Sequence, residues 1–250
     1  MSKLSLYIRK LRFYGWKYQC PICDSNIRKL RPFGYDFAVL EEKQVVGGGF
    51  RLNAQCPVCK ATDRERLLYL YLSRRTRLFT ESTKLLHIAP EPALCATIEK
   101  HSNIDYLTAD ISSDKVMVKM DITEIDYPDD SFDAIICNHV LEHIIEDRKA
   151  MNELYRVLKP GGWGIVQVPM SLSLQQTFED ATVTDPSARE LVFGQSDHVR
   201  IYAMDYLQRL DDCGFQTSQF KWWTDPEFVN QDNSYGLLEN ESVFQISKAV

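Results

Sequence analysis

The sequence predicts an α/β fold, a doubly wound and mostly parallel seven-stranded sheet, with a small zinc ribbon ahead of it. Three observations carry that prediction. From residue 83 onward, short apolar runs alternate with helical stretches, which is how a parallel sheet crossed by helices reads. Four of the seven cysteines form two Cys-x-x-Cys pairs before that region begins. Charge also splits the chain: residues 1–80 hold 16 Lys and Arg against 6 Asp and Glu, while residues 81–250 hold 13 against 29. The split suggests two modules, 1–80 and 81–250, either with different partners or with the basic one docked on the acidic one.

At 44% hydrophobic and 26% charged residues, the composition is that of a soluble globular protein. No run approaches the ~20 apolar residues that span a bilayer. No apolar run with a small-residue cleavage site follows the basic N-terminus, so a cytoplasmic location is expected. Residues 2–18 interleave basic and apolar side chains, with Leu4, Tyr7, Ile8 and Leu11 at helical spacing. This stripe is expected to pack on the protein's own core. The other possibility is a basic amphipathic helix in peripheral contact with a membrane. Residues 63–80 read as a helix, with Asp63 and Glu65 near its start and Arg74, Arg75 and Arg77 near its end, as the helix dipole favours.

Between these helices, at about 19–60, lie Cys20 and Cys23 in QCPIC and Cys56 and Cys59 in QCPVC, 32 residues apart, with Gly47, Gly48 and Gly49 marking a loop. Each Cys-x-x-Cys is a tight knuckle that aims two sulfurs at one point. Two knuckles supply the four thiolates of a closed structural zinc site. Disulfides are disfavoured in a reducing compartment, and two pairs argue against a redox motif. A structural Zn²⁺ without catalytic duty is expected. Cys95, Cys137 and Cys213 stand in apolar stretches and read as small core residues.

Strands are expected at KLLHIA, IDYLTA, KVMVKM, FDAIICN, WGIVQVP, FQTSQFKWW and SVFQISKA. FDAIICN is almost wholly apolar, as a parallel strand buried on both faces must be. A helix begins at Pro92, a residue suited to a first turn. Residues 145–158 form an amphipathic helix stopped by KPGG, and 205–213 form one stopped by Gly214.

MDITEIDYPDDSFDAIIC, NHVLEHI and ELYRVLKPGGWGIVQVP follow one another between Met120 and Pro169. This ordered set resembles the class I S-adenosylmethionine-dependent methyltransferases, a Rossmann-like fold, and specifically those with an N-terminal zinc ribbon; the resemblance spans roughly residues 83–220. In an open α/β sheet, ligands bind beyond the carboxyl ends of the strands. The resemblance implies that Asp110, with Ile111 beside it, binds the ribose diol. It implies that Asp121 meets the adenine amino group while Ile122 packs on the ring, and that Asn138 and His139 lie along the cofactor, although Asn138 also suits a helix cap. Where the family carries acidic-x-Gly-x-Gly, this chain has His87, Ile88, Ala89, Pro90 and Glu91. His87, Ala89 and Glu91 are the expected contacts of this altered loop, Glu91 being able to pair with the cofactor's ammonium group.

Methyl transfer from a sulfonium is an in-line displacement that rewards positioning and exclusion of water. A base is needed only when the acceptor must lose a proton. His139 and His198 are the candidate catalytic residues. His143, four residues from His139 on what reads as one helix face, is expected as a buried partner. His198 stands in FGQSDHVRIYAMDY, where Asp197, Arg200 and Tyr202 complete a polar cluster and Arg200 or Tyr202 is expected to hold the acceptor. Residues 170–204 should cover the acceptor pocket. The acidic second module argues against broad phosphate contact there, so the expected acceptor is a small molecule, glycan or lipid-linked compound. The rival expectations are an RNA methyltransferase whose basic ribbon grips nucleic acid, and a non-catalytic scaffold that uses the ribbon to bind a partner.

Overall fold

A computed structural model describes residues 3–229 and 233–250, with side chains from Ser5 onward; Ser2 and the side chain of Leu4 lie outside the described residues. Helix α1 (Lys3–Phe13) runs straight into strand β1 (Tyr14–Cys20), which pairs antiparallel with β2 (Ser25–Ile27) across the first cysteine knuckle. The helix has two apolar faces, and they compete. Leu6 and Phe13, seven residues apart, pack on the ribbon's core. The stripe expected to pack there instead faces outward, with Tyr7, Ile8 and Leu11 at 61%, 54% and 63% exposure. Strand β3 (Arg31–Phe33) pairs with β5 (Arg51–Gln55), and between them come α2 (Ala38–Glu42) and β4 (Val45–Val46).

Helix α3 (Asp63–Arg75) opens on a capping box: the Thr62 hydroxyl accepts from the Glu65 amide, and the Glu65 carboxylate accepts from the Thr62 amide at 2.8 Å. It ends five residues short of the predicted helix. Beyond it come β6 (Thr83–Ile88), α4 (Pro92–Ile98), β7 (Ile104–Asp110), β8 (Val118–Lys119), β9 (Phe132–Asn138), α5 (Asp147–Val157) and β10 (Leu158–Gln167). The chain continues through β11 (Met170–Ser171), β12 (Phe178–Glu179), α6 (Pro186–Phe193), β13 (Arg200–Ile201), α7 (Asp205–Asp211), β14 (Gln216–Lys221) and β15 (Ser242–Ser247).

The seven-stranded sheet has the order β14-β15-β10-β9-β6-β7-β8, with β15 antiparallel to both its neighbours and the strands from β10 to β8 parallel. The predicted fold class is the observed one. Alternate residues face opposite sides: Leu85, Ala134 and Ile136 join the core under α3 and α4, whereas Leu86, Ile135 and Cys137 join the core under α5 and α7. The predicted third strand shrinks to two residues because, at the sheet's edge, only β7 offers it partners.

Two features of the 170–204 segment are not legible in the sequence. Strand β11 pairs antiparallel with β4, Met170 opposite Val46, so the insertion between the cysteine pairs is joined to the chain that leaves β10. Helix α6 then packs Phe193 against Val39, Leu40 and Val45. Its C-cap, Gly194, has φ +87°, and a Cβ there would stand 2.4 Å from Leu40, so no larger residue fits.

Arg66 on α3 ties β5 and the second cysteine knuckle to the loop before β15. Fully buried, it donates to the carbonyls of Ala54 at 2.8 Å, Ala61 at 3.1 Å, Tyr235 at 2.6 Å and Gly236 at 2.6 Å. Arg66→Met leaves these buried acceptors without donors. It should therefore lower stability by about 3 kcal/mol or more, read as a shift of the urea midpoint; an unchanged midpoint would remove Arg66 from this role.

Candidate functional site

The parallel strands β6, β7, β8 and β9 end at one edge of the sheet, and the predicted cofactor residues stand there. Ala89 leaves β6 at φ +47°, a left-handed turn made without glycine, while its amide donates to the Ala109 carbonyl at 2.8 Å. His87 is fully buried two residues earlier on β6; its Nδ1 meets the Tyr106 hydroxyl at 2.8 Å and its Nε2 meets Glu91 Oε2 at 3.0 Å. Asn138 Nδ2 donates to Glu91 Oε1 at 3.1 Å. Burial opposes charge on Glu91, but His87 and Asn138 outweigh it and hold the carboxyl below its usual range. The loop thus places a fixed carboxylate at the start of α4.

Asp110 ends β7 and takes three bonds on Oδ1, from the Ser112 amide at 2.7 Å, the Ser112 hydroxyl at 3.1 Å and the Ser113 amide at 2.7 Å. Burial works against its charge, yet these donors keep its pKa below the ordinary value. Asp121 Oδ1 accepts from the Thr123 amide and hydroxyl, each at 2.8 Å, which lowers its pKa as well. Ile111 is exposed beside Asp110, whereas Ile122 is buried in the core with Met120 and Ile125. Of the two, Ile111 is the apolar side chain open to a ligand.

His139 leaves β9 at φ +54°, so it does not share a helix face with His143; a short 3₁₀ turn, Leu141–His143, follows instead. Arg64 from α3 donates to His139 Nδ1 at 3.0 Å and to the Gly47 carbonyl at 2.9 Å. Burial foremost, and then the Arg64 charge, hold His139 neutral, far below its usual pKa. His198 is 3% exposed and lies edge-on to His143, ring centroids 4.6 Å apart, with burial pushing its pKa down to about 4. Glu142 is buried beside them, and burial pushes its pKa up to about 8.

Arg200 and Tyr202 correct the sequence reading. Arg200 donates to the carbonyls of Leu141, Ile144 and Ile145 and to Glu179, and Tyr202 donates to Asp147 Oδ2 at 2.7 Å. Both are buried. They brace the turn after β9, and these bonds take up the Tyr202 hydroxyl proton and four of the five Arg200 N–H donors. Arg64 and Glu142 were missed because a single charge in a helix start or an apolar run carries no motif; only its burial marks it.

Two cavities open here. One, of about 890 Å³, lies between the ribbon and α4 and is lined by Phe33, Cys59, Arg64, Glu65 and Glu91. The other, of about 230 Å³, is lined by Phe33, Tyr35, Arg64, His139, Glu142 and His143. Phe33 and Arg64 border both, so residues of the first module wall the carboxyl edge of the sheet. In the ribbon, the sulfurs of Cys20, Cys23, Cys56 and Cys59 all lie within 4.8 Å of one another. Cys20–Cys59 and Cys23–Cys56 stand at 3.6 and 3.8 Å, near the ~3.8 Å edge of a tetrahedron with Zn–S bonds of about 2.3 Å and far beyond a disulfide bond.

Residues 76–166 match the methyltransferase domain family. A demethylmenaquinone methyltransferase of Clavibacter sepedonicus is 49% identical over 45 residues, covering 18% of each chain. A ubiquinone/menaquinone biosynthesis C-methyltransferase UbiE of Marinomonas sp. (strain MWYL1) is 26% identical over 117 residues, covering 42% of this chain and 47% of that one. The chain thus spans less than half the length of either relative. A crystal structure of a SAM dependent methyltransferase from Archaeoglobus fulgidus superposes with a TM-score of 0.49 at 16% identity, covering 75% of this chain and 95% of that one. The matched family and the strand order together define a class I S-adenosylmethionine-dependent methyltransferase domain.

Glu241, also buried close to Arg64 and Arg51, has an Oε2 with no partner among the described residues, and burial raises its pKa to about 7. A carboxyl whose folded pKa is raised contributes stability below its unfolded pKa and loses it as pH rises through the folded value. Between pH 5 and 7.5 the protein should lose about 1–3 kcal/mol more than Glu241→Gln does in urea unfolding. Parallel losses in the two proteins would refute the assignment.

Proposed function

We propose that the protein transfers a methyl group from S-adenosylmethionine to a small-molecule or lipid-linked acceptor at the edge of an anionic membrane. The carrying observation is the convergence of Glu91, Asp110, Asp121 and Asn138 on the carboxyl edge of four parallel strands. The Asp110 carboxylate suits a ribose diol, and Ile111 beside it suits the face of a base. Glu91, held at the start of α4, is placed to meet an ammonium group. S-adenosylmethionine, when bound, supplies an electrophilic methyl. The chain's part is to orient the acceptor and exclude water, which Phe33, Tyr35 and, from the 170–204 segment, Gln195 favour by lining the smaller cavity. His139, neutral and inside that cavity, can orient an acceptor hydroxyl. His198 stands one ring behind and acts through His143.

The exposed side chains of Tyr7, Ile8, Leu11 and Trp16, interleaved with Arg9, Lys10, Arg12 and Lys17, support the membrane-edge reading. Quinone chemistry in the names of both relatives agrees with a lipid-linked acceptor. A reducing cytoplasm would keep the four ribbon thiols ready for zinc, and we read residues 1–80 as a zinc-stapled module that serves the domain at 81–250.

Two measurements test this. Asp110→Ala should weaken S-adenosylmethionine binding in calorimetry by roughly ten- to a hundredfold, the loss of a charged acceptor; equal affinity would disprove the ribose assignment. Protein purified without chelator should carry about one tightly held zinc in the ribbon, and Cys56→Ser should release it. Retention of the metal by that variant would contradict the four-thiolate site.

A further inference from the structure

Glu142, His143 and His198 offer one carboxylate and two imidazole donors whose atoms all lie within 4.8 Å of one another. They come from two segments, the turn after β9 and the loop before β13, which Arg200 clamps together through three carbonyls of the turn. His143 has the outer partner that metal-binding histidines use: its Nδ1 faces Asp197 Oδ2 at 3.2 Å, which leaves the ring one further nitrogen, and the His198 ring lies edge-on to it at 4.6 Å. Glu142 is 1% exposed, and its Oε2 has no hydrogen-bond partner among the described residues. A buried carboxyl oxygen in that condition is costly to leave without a partner.

We propose that Glu142, His143 and His198 form a second metal site, which holds a divalent transition-metal ion such as zinc and takes the acceptor's hydroxyl oxygen as a further ligand. Two imidazoles and a carboxylate favour zinc or its neighbours over magnesium or calcium. Three protein ligands with open positions are the arrangement of a catalytic metal, in contrast to the closed four-thiolate ribbon. Donor atoms around zinc stand roughly 3.3 Å apart, so the cluster must contract, a movement that rotation of the half-exposed His143 ring supplies. Glu142 and His143 line the cavity that also holds His139, so the open positions face the acceptor.

The catalytic role rests on the methyl-transfer reading. An acceptor hydroxyl bound at the metal gives its proton to water more readily. Its oxygen then forms the new O–CH₃ bond as the S–CH₃ bond of the sulfonium breaks, and S-adenosylhomocysteine leaves. This predicts O-methylation of the acceptor.

The test is a Co²⁺ titration of the full chain with zinc already in the ribbon, followed by visible absorption. One further equivalent should bind with weak d–d bands and none of the intense thiolate charge-transfer absorption. His143→Ala and Glu142→Gln should each weaken that binding by at least ~100-fold while the ribbon zinc is retained. His143 is half-exposed, so its variant keeps the test valid if Glu142→Gln fails to fold. Absence of the second equivalent in the parent, or parental affinity in His143→Ala, overturns the site. Calorimetry with S-adenosylmethionine on the same samples separates the two readings. Cofactor binding without a second metal overturns this proposal alone; metal binding without cofactor binding upholds the site and overturns methyl transfer.

Discussion

Everything at the carboxyl edge depends on one buried guanidinium. Arg66 carries a full positive charge into the interior, and its partners are carbonyls from β5, the second knuckle and the loop before β15. Carbonyl dipoles can hold such a charge only if they are fixed, and here the ribbon and the sheet's last connection fix them. The same helix carries Arg64, two residues away and pointed into the cavity. Helix α3 therefore both ties the cysteine-pair segment to the loop before β15 and supplies one wall of the cavity. Its geometry is set at the start by the Thr62–Glu65 capping box.

The first loop solves the problem of close cofactor approach by different means from a glycine-rich turn. Ala89 accepts a left-handed conformation, at a cost of roughly 1 kcal/mol for a residue with a Cβ. The acidic group that the family pattern puts on the strand is displaced to Glu91, and a histidine occupies the strand position in its place. Because His87 and Asn138 pin both carboxylate oxygens, Glu91 is pre-oriented rather than mobile. A pre-oriented charge loses little entropy on binding.

The sheet was legible because strands buried on both faces must be apolar throughout: FDAIICN and WGIVQVP read as strands for the reason that they are central. The knuckles were legible because four thiols at that spacing have few other uses. What could not be read was competition between faces and between polar residues. Helix α1 has two apolar faces, and periodicity does not say which one the ribbon takes; Leu6 and Phe13 won over Tyr7 and Leu11. Arg200 and Tyr202 looked like an acceptor clamp because a polar loop beside a histidine suggests a site, yet burial turns both into braces. Asp110, Asp121, Asn138 and Glu91 do meet at one edge, and Ile111 is open there, but Ile122 spends its side chain on the core.

The pairing of β4 with β11 has a consequence for the order of assembly. Val45 and Val46 leave the ribosome long before their partners Met170 and Ser171 have been made, and contacts so distant in sequence form late. The ribbon can close on its own knuckles early, but the insertion it carries must wait, unpaired, until the fifth parallel strand has been added to the sheet. Only then do β11 and α6 arrive to cover its Val39, Leu40 and Val45. This wall of the cavity is thus assembled only after the parallel strands on which it stands.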